Sequence, residues 1–326
     1  MGGSLFPQIS VVVVLQCGSK AFRLALARLR AQSVASALEC IIVAPSRKEL
    51  NLAPEELEGF FTHRILELGP LEGEGAAKAA GVAAARAPLV AFMEDHSYPD
   101  PCWAEALIEA HRRGDFAAVG PVMLNANPGS AVSWGCFLVF YGPWMAARPQ
   151  QEVRHLPANQ SCYRRDVLLE YGSRLSEMLQ SESVLHWDLL ARNQRLHQEP
   201  AARVYHLNYS RYGPMLFEYY LSSRVFAANR ARAWGIPRRI VYALGSPLIP
   251  LIRWRRIVQD AARAALPARI LRRAFPALAL ALVAGAAGEA LGYAFGDRRA
   301  AERLMRFVRN RHTTFTPRDL EALSGL

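Results

Sequence analysis

The chain contains no C-x-x-C pair, and its five cysteines (Cys17, Cys40, Cys102, Cys136 and Cys162) are odd in number and widely scattered. That pattern excludes a disulfide framework and structural zinc, and it suits a reducing compartment. The opening stretch MGGSLFPQISVVVVLQCG has no basic n-region. Its apolar run is short and β-branched, so it reads as a first strand rather than a signal peptide, and a cytoplasmic chain is expected. Internal repeats and low-complexity tracts are absent. Acidic residues are scarce in the last third: from Arg211 onward 20 basic residues, all arginine, face 7 acids, a balance of +13, whereas the first 210 residues carry −2. Such asymmetry points to an anionic membrane surface or to nucleic acid. What the chain does have is apolar content: 52% of its 326 residues are hydrophobic, enough to bury one large domain or one domain with an appendage.

Along the chain, ISVVVVLQ reads as a buried strand, FRLALARLRAQ as a helix and ECIIVAP as a second strand. A polar helix near PEELEGF precedes HRILELG, an Ala-rich helix covers about 75–85, and PLVAFMED follows. Continuously apolar strands alternating with helices predict a mostly parallel sheet with helices on both faces. Another helix is expected in WAEALIEAHRRG and another strand in FAAVGPVML. The stretch 125–157 reads as irregular and holds an aromatic cluster, Trp134, Phe137, Phe140, Tyr141 and Trp144. A helix over 182–196 and the strand in AARVYHLNYS complete a first domain, 1–210. His186 and His197 read as surface positions on that helix.

Beyond it, 211–326 forms a basic, apolar helical region. Ile240–Ile252 is interrupted by Gly245, Pro247 and Pro250, and Ala274–Phe295 is apolar except for Glu289. A helix of that second length reaches across a ~30 Å hydrocarbon core. Its Ala and Gly content and its carboxylate argue instead for interfacial or re-entrant helices, with arginines such as Arg253, Arg255 and Arg256 toward anionic head groups. A buried helical hairpin with solvated arginines is the alternative reading.

The stretch VAFMEDHSYPDPCW places Glu94, Asp95 and His96 at the carboxyl end of a buried strand, where ligands of open α/β sheets bind. Together with LPANQSCYRRDVL and SESVLHWDLLARNQRLHQEPAARVYHLN, in that order, it resembles the family 2 glycosyltransferases of the GT-A fold. The resemblance spans Ile9 to about Asn208. It implies a Rossmann-like domain that moves a sugar from a nucleotide-sugar donor, inverting the anomeric centre, with Mn²⁺ or Mg²⁺ on the diphosphate.

Carried over residue by residue, the resemblance places Glu94 and Asp95 at the nucleotide sugar and gives Glu94, His96 and His206 to the metal. A histidine ligand tilts the choice toward Mn²⁺. Glu182 falls at the general base, with Asp188 as the second candidate. Gln16, Gly18 and Ser46 fall near the nucleotide, and Lys78 near the diphosphate. Gly75 and Gly81 would allow close backbone approach, and Arg164 and Arg165 either bind phosphate or cover a helix start. The chain departs from the family twice. Ala44, Pro45 and Ser46 stand where an acid usually reads the base, and Ser183 follows Glu182 where an aspartate is usual.

The expected protein is therefore a glycosyltransferase at the cytoplasmic face of the inner membrane, acting on a lipid-linked or polysaccharide acceptor stacked on the aromatic cluster. An aromatic core is the other reading of that cluster. A catalytically lapsed scaffold in glycan synthesis is the alternative function. Nucleic-acid binding ranks last, because the arginines are interleaved with apolar segments and no binding motif is present.

Overall fold

β1 (Ile9–Val14) is ISVVVV, a run whose β-branched side chains fit a pleated, doubly covered strand, and all but Val14 are buried. Ser19 ends the following loop by accepting from the Phe22 amide at 3.1 Å, which starts the helix Lys20–Arg30. That helix buries Phe22, Ala25, Leu26 and Leu29, one face at helical spacing. The computed structural model describes residues 6–15, 18–71, 73–149, 153–157 and 159–325. It resolves into two compact units, Met1–Leu124 with Ala147–Tyr205, and Asn125–Ala146 with His206–Leu326. The chain returns to the second unit at 206, and residues 125–146 group with it.

The first unit carries one mixed sheet. β2 (Leu38–Ala44), β3 (Thr62–Glu67), β4 (Leu89–Met93), β5 (Ser97–Pro99), β6 (Ala118–Asn125), β7 (Cys162–Arg164) and β8 (Leu196–His206) join β1 in the order β3-β2-β1-β4-β7-β6-β8-β5. The strands β3, β2, β1 and β4 run parallel. β7 is antiparallel to both β4 and β6. Val13 lies beside Ile42 on one side and Met93 on the other, so β1, β2 and β4 end at the same edge of the sheet. Strand side chains Val12, Ile41, Val90 and Phe92 pack with Val82 of the helix Glu74–Ala84 and with Leu185 and Leu189 of the helix Glu182–Ala191. Each such side chain contributes about 1.5–3 kcal/mol on burial.

Two boundaries differ from the sequence reading. The helix expected to reach 196 stops at Ala191, because Asn193 takes a left-handed conformation, φ 60°. β8 then begins at Leu196 and passes through Pro200, which sits at an exposed point where its missing donor costs little.

In the second unit, the stretch read as irregular contains the helix Ala131–Phe140, capped by Ser130 accepting from the Ser133 amide. It is apolar on every side and so lacks the periodicity that reveals a helix. The NPGS turn and serine cap were its only local marks. Phe137, Tyr141 and Trp144 are buried, which favours the core reading for three of the five aromatics. Asn127 donates to the Asn208 carbonyl at 2.8 Å and to Asp319 at 2.7 Å, and Asn208 donates to Asn125 at 2.9 Å. These buried bonds join the inserted segment to the rest of its unit.

The long helices Tyr212–Arg230, Ile236–Gly245, Ile249–Arg263 and Ala268–Phe295 follow. By length and composition Ala268–Phe295 alone, among the described residues, is able to cross a membrane, and half of its apolar stretch is buried within the protein. Its carboxylate Glu289 accepts from Arg253 at 2.5 Å. Arg253, expected toward a head group, is engaged in this part-buried ion pair.

Candidate active site

β4 ends at Met93, and the next three residues turn Glu94, Asp95 and His96 out of the sheet's parallel edge. Both oxygens of Glu94 are held: Asn159 donates to Oε1 at 3.0 Å and Gln160 to Oε2 at 2.9 Å. Gln160 also donates to Ser97 at 2.7 Å, while its own buried Oε1 has no partner among the described residues. Asp95 Oδ1 lies 2.7 Å from His96 Nδ1. A carboxylate only accepts, so Nδ1 carries the proton and Nε2 is left with a lone pair. A Glu94 oxygen and a His96 ring nitrogen lie within 4.8 Å of each other. One hard oxygen and one imidazole nitrogen, each oriented from behind, form a donor pair suited to a divalent transition ion. The orphaned Gln160 Oε1 is a further acceptor beside them.

Behind this turn the same amides lead to the predicted base. Lys78, on the helix Glu74–Ala84, is almost fully buried and donates to Glu182, Asn159 and Glu74, the last at 3.1 Å. Its ammonium also lies 5.5 Å from the centre of the Phe92 ring. Glu94, Asn159, Lys78 and Glu182 thus form one hydrogen-bonded chain.

Burial lowers the proton affinity of Lys78, but the Glu182 and Glu74 carboxylates outweigh it and hold the ammonium above its ordinary value. Glu182 is pushed up by burial and by the charge of Glu74, against the opposing Lys78. The two directions are compatible because two carboxylates share one lysine. Asp188 is placed differently: it accepts from Tyr171 at 2.6 Å and pairs with Arg192 at 2.8 Å, part-exposed.

Gly18 and Ser46 come together beyond β1 and β2. The Gly18 amide donates to the Glu49 carbonyl at 3.1 Å, and Ser46 caps the helix Arg47–Leu50 by accepting from the Glu49 amide. Gln16 lies outside the described residues. Gly81 and Gly75 serve packing: a Cβ on Gly81 would meet Val12, and one on Gly75 would meet the Ser176 carbonyl.

Arg164 pairs with Asp115 and Asp166 and lies opposite Leu89, the first residue of β4, far from Glu94 at its other end. Arg165 donates to the Val82 carbonyl at 3.3 Å, so both arginines sit at the helix start instead of at the acidic turn. His206 closes β8, buried, with Nδ1 3.0 Å from Asn208 Oδ1 and its ring against Tyr141.

Two histidines correct the sequence reading. His186 is fully buried: Nδ1 accepts from the Leu156 amide, so Nε2–H donates to the Tyr163 oxygen, 2.7 Å away, and burial pulls its pKa down to about 3. His197 lies on β8, not on a helix, and stacks on Phe116 at 4.7 Å. Asn159 and Gln160 were not singled out as site residues. The signal for them was the stretch LPANQSCYRRDVL, which carries part of the family resemblance without marking either amide as a site residue.

No curated protein matches the chain. Among solved structures, it resembles "Crystal structure of GalNAc-T7 with UDP, GalNAc and Mn2+" at 14% identity and TM-score 0.46, covering 62% of this chain and 43% of that one. It resembles S. aureus TarS at 15% identity and TM-score 0.46, covering 90% and 55%. The chain thus spans about half the length of these two structures. Residues 11–172 match the family model described as Glycosyl transferase family 2, a range containing most of β1, all of β2–β4, Lys78, the Glu94–His96 turn and Asn159. That segment, whose mostly parallel sheet is the Rossmann-like one of the GT-A fold, is a glycosyl transferase family 2 segment.

Proposed function

We propose that this protein transfers a sugar from a nucleotide-sugar donor to a lipid-linked or otherwise membrane-held glycan acceptor, with inversion and with Mn²⁺ or Mg²⁺. The supporting observation is the chain Glu94–Asn159–Lys78–Glu182, which ties the acidic turn inside the family segment to the proposed base just beyond its end. In this reading Glu94 and His96 hold the metal, and Asp95 fixes the His96 tautomer. When bound, the divalent ion neutralises charge developing on the departing diphosphate. Lys78 and the Asn159 amide keep Glu94 and Glu182 at a fixed separation. Glu182 takes the proton of the acceptor hydroxyl as that oxygen attacks the anomeric carbon. Burial raises its proton affinity toward the working pH, which is what a general base requires. The cytoplasmic face of the inner membrane is the proposed location.

The test is release of nucleoside diphosphate from a panel of nucleotide sugars, with and without Mn²⁺. Metal-stimulated turnover of at least one donor is expected. Absence of both turnover and binding for every donor would defeat the reading, whereas donor binding without turnover, unchanged in Glu182→Ala, would favour a scaffold.

A further inference from the structure

In the second unit the helices Ile236–Gly245 and Ile249–Arg263 turn a run of large apolar side chains outward. Ile236, Ile240, Val241 and Leu244 recur at i, i+4, i+5 and i+8, one helical face, and Ile236 and Leu244 are 72% and 77% exposed. The face continues around the corner between the helices, where Leu248 and Leu251 are 60% and 70% exposed. Pro247 and Pro250 lie at that corner and shape it. A continuous apolar face of this kind on a folded protein marks a surface that something covers.

The charge beside it identifies the cover. Between 236 and 288 the sequence has nine arginines and one acid, Asp260, which is paired with Arg263 at 2.8 Å. Arg255 and Arg256 are exposed about one helical turn, ~5 Å, past the corner, within reach of the same surface. Arg269, Arg272 and Arg273 are exposed on the first turns of Ala268–Phe295. Guanidinium groups bordering exposed aliphatic side chains, with almost no acids among them, complement a surface that is apolar below and anionic above.

The long helix does not offer a better anchor, since its inner half is committed to protein. A Cβ on Gly288 would meet the Tyr220 carbonyl, and one on Gly285 would meet the Tyr219 ring. Close packing against Tyr212–Arg230 explains the Ala and Gly content, and Glu289 is spent on Arg253.

We propose that the corner of these two helices inserts into one leaflet of an anionic lipid bilayer, with Arg255, Arg256 and the arginines of the long helix at the phosphates. The second unit then lies on the membrane without crossing it. This docking bears on the acceptor half of the proposed reaction, yet it is read without nucleotide or turnover, so either proposal is able to fail alone.

The experiment is flotation of the full chain with vesicles of phosphatidylcholine, alone or mixed with phosphatidylglycerol. Binding to the mixed vesicles is expected, weakening as salt rises. Leu244→Glu with Leu248→Glu, both surface changes, should weaken it about tenfold or more at unchanged melting temperature. Arg255→Gln with Arg256→Gln should cost roughly tenfold on the mixed vesicles and leave phosphatidylcholine binding unaltered. Equal binding by both variants and the parent overturns the proposal. So does lipid-free self-association abolished by the leucine variant with no vesicle binding, which would make a second copy of the chain the cover.

Discussion

Replacing Lys78 with Met removes the cation from a carboxylate that is only 5% exposed, and from the face of the Phe92 ring, while keeping an unbranched side chain of similar length. Breaking a buried pair from one side costs about 3–5 kcal/mol, because the remaining charge is left uncompensated. At ~2–4 °C per kcal/mol for a unit of this size, the melting temperature should fall by about 6–20 °C. Glu182→Gln should cost less, about 1–2 kcal/mol, since Lys78 keeps Glu74 at 3.1 Å and the Asn159 amide oxygen. The double variant should fall short of the summed single costs by more than about 1 kcal/mol.

The penalty of Lys78→Met is also pH-dependent. The folded-state pKa of Glu182 is raised, so its ionisation works against the fold as pH climbs above its ordinary 4.5. The folded-state pKa of Lys78 is raised too, so its contribution is fully present below 10.5 and is lost only above that. The variant should therefore lie close to the parent near about pH 4, where Glu182 is protonated, and diverge as pH rises through the raised value. Thermal melts across that range provide the assay. A penalty under about 1 kcal/mol, or one independent of pH, would refute the reasoning.

Four further outcomes are expected. Glu182→Gln should lower the transfer rate by about 10²–10⁴-fold with donor binding retained, while Asp188→Asn, already bonded to Tyr171 and Arg192, should stay within about threefold; single-turnover kinetics distinguishes them. His186, neutral in the fold with a pKa near 3, costs stability as pH falls below 6.5, because only the unfolded chain then gains its proton; urea titrations of His186→Gln should show a shallower acid loss. Asp95→Asn should weaken metal affinity about 10–100-fold by releasing the His96 tautomer, measured by Mn²⁺ titration. Gly288→Val should destabilise by about 1–3 kcal/mol in thermal melts, since the new side chain meets the Tyr220 carbonyl.

The parallel strands β1, β2 and β4 were legible because their runs are almost wholly apolar, whereas β3, THRILE, carries His63, Arg64 and Glu67 at the sheet's edge; the acidic turn was legible because three polar residues interrupt the apolar run of β4 at its carboxyl end. Lys78 was legible as a lone lysine in an Ala-rich helix, but its commitment to Glu182, 104 residues later, is tertiary and leaves no local mark. The same holds for Asn159 and Gln160, whose bonds to Glu94 span 65 and 66 residues. His186 was misread because its helix is apolar on several sides and presents no periodic face from which burial is read. The long C-terminal helix shows the limit of composition: glycines that read as poor lipid contacts are the positions that touch a neighbouring helix.

The central claim is that the Glu94–His96 turn holds a metal-bridged nucleotide diphosphate. Calorimetric titration of nucleoside diphosphates into the parent, Glu94→Ala and His96→Ala, each with and without Mn²⁺, tests it most directly. The account requires Mn²⁺-dependent binding of at least one diphosphate by the parent and its loss in both variants while each still melts in one cooperative transition. Binding that is equally tight in all three proteins, or absent from the parent for every base, would contradict it.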